Sequence, residues 1–126
     1  CKAQTAARAR QSHMMRLIDR FRFRRNPITV ASLPDLPPLK LRTHWKRDDF
    51  ISAQIRKDAA WEPYETDLIL SSLRPGQVFY DVGANIGWYS LIASVAVGPD
   101  GAVYSFEPDS ENFDLLTSNV RLNRLR

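Results

Sequence analysis

The chain has few of the residues on which disulfides and metal sites depend. It has one cysteine, Cys1, so an internal disulfide is excluded. Its two histidines, His13 and His44, share no ligand spacing with Cys1, so we expect no metal site. The longest apolar run, residues 91–97, is much shorter than the roughly 20 residues of a membrane-spanning helix. We therefore expect no transmembrane span.

Charge is distributed unevenly along a chain of otherwise ordinary composition. The 126 residues are 44% hydrophobic and 25% charged, which excludes wholesale disorder. Residues 1–60 carry 14 Lys/Arg and 5 acids, a net charge of +9, whereas residues 61–126 carry 4 and 9, a net charge of −5. The halves are expected to differ in role, and nucleic acid is not the expected partner. Because the first residue is Cys1 instead of Met, we expect a fragment of a longer protein.

The first 60 residues divide into two segments before the main domain. Residues 1–25 are predicted to form a basic amphipathic leader helix, with Met14, Leu17, Ile18 and Phe21 at helical spacing. This stripe either packs on the main domain or contacts an anionic membrane surface or other anionic partner. The arginine-rich, acid-poor start also resembles an organellar transit peptide. Residues 26–60 are interpreted as a linker and pre-domain segment, because Pro27, Pro34, Pro37 and Pro38 interrupt regular structure. A short strand within 39–45 and a helix capped by Asp48 or Asp49, with Phe50, Ile51 and Ile55 on one face, are expected there.

Residues 61–126 show a strand–helix–strand–helix pattern. A helix begins at Pro63 and ends before Pro75-Gly76, with an apolar face of Tyr64, Leu68, Leu70 and Leu73. A buried parallel strand at 78–82, a helix to the turn at 98–101, a strand at 102–106 and a helix capped near Asp109 or Ser110 follow. This order predicts an α/β, doubly wound fold.

The loop between the first of these strands and its helix has the composition of a ligand site. Glycine at 83 and 87 lets a ligand approach the backbone, and the free amides of the helix start attract an anion. The spacing matches neither a dinucleotide fingerprint nor a Walker loop. Asp81 repels phosphate but attracts an ammonium group. Glu107, twenty residues beyond Gly87, is placed to accept bonds from ribose hydroxyls. A ligand with a ribose and an amino acid points to S-adenosylmethionine; the structural alternative is that Glu107 caps a helix and Asp81 ends a strand.

Residues 61–126, about half of the chain, resemble the FkbM family of S-adenosylmethionine-dependent methyltransferases. The motifs that carry the resemblance are Trp61-Glu62-Pro63, Pro75-Gly76, Asp81-Val82-Gly83-Ala84-Asn85-Ile86-Gly87, Phe106-Glu107-Pro108 and Asn119-Val120-Arg121-Leu122-Asn123. The resemblance implies the N-terminal part of a class I (Rossmann-like) methyltransferase fold, truncated after the second βα unit. Residues 61–126 would then be a partial cofactor-binding domain, inactive by itself, with a bare strand edge.

The resemblance also implies a set of cofactor-binding residues. Asp81, Gly83 and Gly87 would hold the methionine end, Glu107 the ribose and Pro108 the adenine, while Glu62 and Tyr64 would close over the cofactor. Asn85, between the two loop glycines, is also expected to bind the cofactor. The resemblance further implies O-methylation of a small-molecule or glycan acceptor, such as a sugar or secondary metabolite, in the cytoplasm. No catalytic base is assigned.

Other polar and aromatic residues are given structural roles. Trp88 is expected in the core, Tyr89 is a candidate for contact with the sulfonium, and Asn119 and Asn123 are expected to bond locally on one helix face. Ser90 and Ser94 receive no role, and both histidines are interpreted as bystanders. Two other functions stay open: a basic interaction module that binds an anionic membrane or nucleic acid through residues 1–25, and an NAD-linked oxidoreductase with an atypical glycine loop.

Overall fold

The computed structural model describes residues 14, 15, 18, 21–45 and 49–125. In chain order, the strands and helices of these ranges are β1 (Ile28–Ala31), β2 (Leu39–Arg42), α1 (Phe50–Asp58), α2 (Pro63–Ser72), β3 (Val78–Val82), α3 (Trp88–Val97), β4 (Ala102–Phe106) and α4 (Ser110–Leu122). None of the helices in this part of the chain combines the length and the apolarity that crossing a bilayer requires.

β3, α3 and β4 form a parallel βαβ unit. β3 pairs with β4 from Val78↔Ala102 to Val82↔Phe106, and α3 makes the crossover between them. Leu91 and Ile92 of α3 are buried against this sheet, and α4 follows β4. The predicted α/β class, with two successive βα units and a parallel strand pair, is confirmed by this order.

The β3–β4 sheet is covered on one face only within the described residues. On the covered face, Ser90 of α3 bonds to Asp81 and Ser105. The other face carries five apolar side chains that are between 51% and 82% exposed: Val78, Tyr80, Val82, Tyr104 and Phe106. The prediction of a buried β3 is therefore wrong for this face, because its burial needs a second layer that the described elements do not supply.

β1 and β2 form an antiparallel hairpin with the register Ile28↔Arg42 to Ala31↔Leu39. The predicted strand within 39–45 is confirmed as β2, and its Leu39 and Leu41 are buried. β1 was not predicted, and the linker interpretation of residues 26–60 is wrong for the hairpin. Pro27 and Pro34 lie outside β1, so neither removes a donor from the ladder.

Asn119 of α4 and Asn123, the C-cap residue of this helix, attach it to the main chain of β2. Asn119 accepts from the Arg42 N–H at 2.7 Å and donates to the carbonyl oxygens of Arg42 and Ile86 at 3.1 and 2.8 Å. Asn123 accepts from the Lys40 N–H at 2.8 Å and donates to the Lys40 carbonyl at 2.7 Å. We call these contacts the amide clamps. The expected local bond also exists, from Asn123 to the Asn119 carbonyl, but the clamps reach a strand about 80 positions away.

The helices begin largely where the sequence predicts. Asp49 caps α1 by accepting from the Ser52 N–H at 3.1 Å, and Asp109 caps α4; Asp48 lies outside the described residues. Pro63 opens α2. Two expected apolar faces are wrong in part, because Phe50 of α1 and Tyr64 and Leu68 of α2 are exposed.

The structure describes eight residues of the predicted leader helix 1–25, namely 14, 15, 18 and 21–25, and residues 23–25 form a turn, so the prediction of a helix up to residue 25 is wrong at this end. Met14, Met15, Ile18, Phe21 and Arg22 are helical, and the stripe residues Met14, Ile18 and Phe21 are exposed. Cys1, His13 and Leu17 lie outside the described residues. The described stripe side chains therefore do not bury themselves on the domain, contrary to one of the two interpretations of this segment.

Candidate functional site

Residues 83–87 connect β3 to α3 at the edge where both parallel strands end. The main-chain N–H groups of Gly83 and Ala84 donate to the Phe106 carbonyl oxygen at 2.9 and 3.1 Å. These two bonds tie the loop to the last residue of β4. Ligands of open α/β sheets bind at this edge, beyond the carboxyl ends of the strands.

The two loop glycines differ in their surroundings. Both have positive φ, +84° at Gly83 and +96° at Gly87, a region that favours glycine. A Cβ on Gly83 would meet no atom within 4 Å, so this backbone is open to approach. A Cβ on Gly87 would lie 2.5 Å from Cδ1 of Leu116, so Gly87 allows α3 and α4 to pack closely. Gly83 therefore fits a ligand-facing position, and Gly87 a packing position.

The Glu107 carboxylate faces the loop. Its Oε2 accepts from the Asn85 N–H at 2.7 Å, and its Oε1 accepts from the Asp109 N–H at 3.0 Å and from Asn112 Nδ2 at 3.4 Å. The bond to Asp109 at the start of α4 matches the capping alternative. The bond to Asn85 matches the interpretation of Glu107 as a residue of the ligand site. The same carboxylate therefore contacts both the start of α4 and the glycine loop. Its role toward a ribose stays a prediction.

Asp81 lies at the sheet edge but is only 7% exposed. The Ser90 hydroxyl donates to its Oδ2 at 2.6 Å and also lies 2.7 Å from the Ser105 hydroxyl. Burial raises the pKa of Asp81, the bond from Ser90 opposes that rise, and the negative charge of Glu107 adds to it. Asp81 therefore anchors α3 to β3, and its attraction for an ammonium group stays a prediction.

A cavity of about 210 Å³ opens between the loop and the start of α2. Its lining consists of Ile51, Trp61, Glu62, the loop residues Gly83, Ala84, Asn85 and Ile86, and Trp88 and Tyr89. The Tyr89 hydroxyl donates to Glu62 Oε2 at 2.5 Å. Burial and then the nearby Glu62 carboxylate raise the pKa of the Tyr89 hydroxyl well above its usual value, so it stays protonated.

Tyr64 and Pro108 lie apart from this lining, whereas Trp88 belongs both to the lining and to the core. Tyr64 is 87% exposed, and Pro108 is exposed directly after Glu107. Trp88 is buried as expected for a core residue, and its indole N–H donates to the Thr66 hydroxyl at 2.9 Å. The structure thus places both Glu62 and Glu107 beside the loop, in separate contacts. Tyr64 does not lie beside it.

The described surroundings of the loop are acidic. Glu62 lines the cavity, Glu107 bonds to the loop and Asp81 ends β3, whereas the lining includes no Lys or Arg. Negative charge repels a pyrophosphate and attracts a cationic group. The charge around the loop therefore favours a ligand with a cationic group over one with a pyrophosphate.

Sequence reasoning missed three polar residues around this edge. Ser90 anchors Asp81, and His44 and Asn112 form a buried pair, with Nε2 and Oδ1 2.7 Å apart. A serine in the first turn after a glycine loop is a local signal that could have suggested Ser90. His44 and Asn112 are 68 positions apart, and no spacing rule connects them.

Comparison with known proteins bears on the proposed family. Over 53 residues, 42% of this chain, the sequence is 43% identical to the 31-O-demethyl-FK506 methyltransferase FkbM of Streptomyces tacrolimicus. The resemblance to FkbM is confirmed. The aligned part is 20% of that relative, so the chain spans about a fifth of the length of FkbM.

Two further comparisons complete the findings beside FkbM. No protein-family model matches the chain. A solved protein-L-isoaspartate O-methyltransferase superposes on 80% of this chain and 26% of its own, with 16% identity and a TM-score of 0.49.

Proposed function

We propose that this chain is part of an S-adenosylmethionine-dependent methyltransferase that acts in the cytoplasm on a hydroxyl of a sugar or secondary metabolite. The observation that carries the proposal is the contact between Glu107 and the Asn85 N–H at the ends of adjacent parallel strands. It puts an acceptor for ribose hydroxyls beside a loop with an open backbone at Gly83. The resemblance to FkbM, a methyltransferase, supports the same reaction class.

The residues present fit this cofactor. A carboxylate has about four acceptor sites, and Glu107 uses three of them within the chain, so capacity for a ligand hydroxyl remains. The three carboxylates around the loop complement a cationic sulfonium and ammonium. The cavity of about 210 Å³ is smaller than the roughly 300–1,000 Å³ of ligand pockets, so these residues would supply part of the pocket.

The chain's contribution to catalysis is alignment. When bound, S-adenosylmethionine supplies an activated methyl group on its sulfonium. Gly83 and Asn85 would fix the loop against the cofactor, and Glu107 would fix its ribose, because alignment of donor and acceptor provides much of the acceleration in such displacements. The described residues include no group that we assign as a general base. We therefore propose that the 126-residue chain alone does not transfer methyl groups, and methyl transfer by that chain would overturn this point.

Calorimetry on the full-length protein tests the proposal. We expect S-adenosylhomocysteine to bind and NAD to bind more weakly or not at all. Tighter binding of NAD would favour the oxidoreductase alternative and end the methyltransferase proposal. Incorporation of labelled methyl from S-adenosylmethionine into small hydroxylated acceptors would then identify the acceptor class.

We propose, as a second function of the same protein, contact of the leader helix with an anionic membrane surface. The observation that favours it is the exposure of Met14, Ile18 and Phe21 in a segment rich in arginine. Apolar side chains beside basic ones are typical of helices at membrane interfaces. We expect co-sedimentation with phosphatidylserine vesicles that weakens steeply with salt. Equal sedimentation with phosphatidylcholine vesicles would exclude this charge-dependent contact.

A further inference from the structure

A buried chain of hydrogen bonds links the β1–β2 hairpin to the candidate cofactor carboxylate. His44, just after β2, has its Nε2 atom 2.7 Å from Oδ1 of Asn112 in the first turn of α4. Nδ2 of the same Asn112 is 3.4 Å from Oε1 of Glu107. His44 and Asn112 are each 6% exposed, so water cannot easily replace either partner.

The Glu107 carboxylate determines the direction of this chain. An ionised carboxylate only accepts hydrogen bonds, so Asn112 must turn its NH₂ toward Glu107 and its Oδ1 toward His44. The Nε2 of His44 must then carry a proton and donate it. If the Asn112 amide were reversed, its oxygen would lie 3.4 Å from Oε1 of Glu107, and two acceptors would face each other.

The main chain of His44 is itself held in place. Its N–H donates to the Ser52 hydroxyl at 3.2 Å, and its carbonyl oxygen accepts from Arg56 at 2.8 Å. Both partners lie on α1, which packs beside the hairpin. The imidazole therefore approaches Asn112 from a fixed backbone.

We propose that His44 is a positioning residue for cofactor binding, which acts through Asn112 to hold the rotation of the Glu107 carboxylate. This inference rests on the proposed function. The donors Asn85, Asp109 and Asn112 surround Glu107, and the side chain of Asn112 is held in place by its bond to His44. When the Asn112 side chain is held in place, the acceptor site of Glu107 that these three donors leave unused stays available to a ligand beside residues 83–87.

Substitution at His44 tests the proposal by binding affinity in the full-length protein. His44→Leu removes the donor and is expected to weaken S-adenosylhomocysteine binding about 3- to 10-fold, the range of one hydrogen bond. His44→Gln keeps an N–H at a similar reach and is expected to restore most of the affinity. His44→Leu in a Glu107→Gln background is expected to have no further effect on affinity.

Asn123→Ala is the matched control, because it removes the two bonds that join the C-cap residue of α4 to Lys40 of the hairpin, away from His44. It is expected to lower the melting temperature without changing the cofactor Kd. Unchanged affinity in His44→Leu, or no recovery in His44→Gln, would overturn the positioning role and leave the methyltransferase proposal intact. A wild-type protein that does not bind the ligand would overturn both.

A spectroscopic measurement examines the chain without a ligand. In the ¹⁵N spectrum of the full-length protein, the signals of the His44 imidazole are identified as those that the His44→Gln variant lacks. We expect the Nε2 of His44 to carry the proton. A neutral ring protonated at Nδ1 alone would contradict the proposed direction of the chain.

Discussion

The main-chain N–H of Asn85 donates to Oε2 of Glu107 across 2.7 Å, and this bond joins the segments that follow two neighbouring parallel strands. Asn85 has a φ of +50°, a left-handed conformation that asparagine tolerates better than most residues. In this turn the main-chain N–H of Asn85 points toward Glu107 and away from the helix α3 that follows. The loop and the carboxylate are therefore a single unit, and a change in one is expected to alter the other.

Removal of the Glu107 carboxylate should weaken cofactor binding. Glu107→Ala leaves the Asn85 amide unpaired and removes the acceptor for the ribose, so we expect a loss of about 1–3 kcal/mol in the free energy of S-adenosylhomocysteine binding. Calorimetry on the full-length protein measures it. Glu111→Ala, at an exposed acid in the first turn of α4, is the control and should bind as the wild type does. Equal affinities in both variants would remove Glu107 from the site.

Alanine at the two loop glycines should have different effects. Both substitutions place a side chain at positive φ, at about 1–2 kcal/mol of destabilisation. Gly87→Ala also presses on the buried Leu116, where overpacking adds about 1–3 kcal/mol. Urea unfolding should therefore show the larger loss for Gly87→Ala, while Gly83→Ala should show the larger loss of cofactor affinity relative to its stability. A smaller unfolding loss at Gly87 would contradict the packing described here.

Local sequence patterns contained most of the information about this edge of the sheet. Glycines 83 and 87 mark the turn because positive φ selects their residue type, and Glu107 stands at a predictable distance because each strand and helix has a limited length. Asp109 and Asp49 were predictable as caps for the same local reason. These features depend on neighbours within a few positions.

The pH dependence of stability should report on Asp81. Burial raises its pKa above the ordinary value of 3.8, so the folded chain holds this proton more tightly than the unfolded chain does. The free energy of unfolding contributed by Asp81 is therefore highest below pH 3.8 and falls as the pH rises toward the folded pKa. Asp81→Asn should abolish this fall in urea titrations across acidic pH.

Ser90→Ala supplies a second arm of the same experiment. The Ser90 hydroxyl lowers the pKa of Asp81, so its removal should raise that pKa further and enlarge the fall in stability with pH. Parallel pH profiles for the wild type and Asp81→Asn would show that this carboxyl does not behave as described.

The amide clamps should differ in their contribution to stability. Asn119 is fully buried and serves three main-chain groups, whereas Asn123 lies at an exposed part of the interface. An unpaired buried polar group destabilises by about 1–3 kcal/mol, so Asn119→Ala should lower the free energy of unfolding more than Asn123→Ala. Thermal and urea unfolding measure the difference, and the reverse order would show that the Asn119 contacts contribute little.

Contacts distant in sequence were beyond local patterns. β1 escaped prediction because the prolines on either side suggested an irregular segment, although neither lies within the strand. His44 and Asn112, and Asn119 and Arg42, meet only because the hairpin packs on α4, which no periodicity in either segment indicates. For the exposed face of β3, the local pattern predicted more burial than the structure has. Its apolar residues predict a covering layer, and the described elements do not include one.

The amide clamps recognise the peptide groups of β2 and make no use of its side-chain chemistry. Related proteins are then free to vary the outward-facing residues of this strand over evolutionary time, provided that its path is kept. Asn119 has no such freedom, since few other side chains offer a donor and an acceptor in one plane at that reach. Mutational drift at this interface should therefore be one-sided, with Asn119 retained and the outward-facing residues of β2 free to vary.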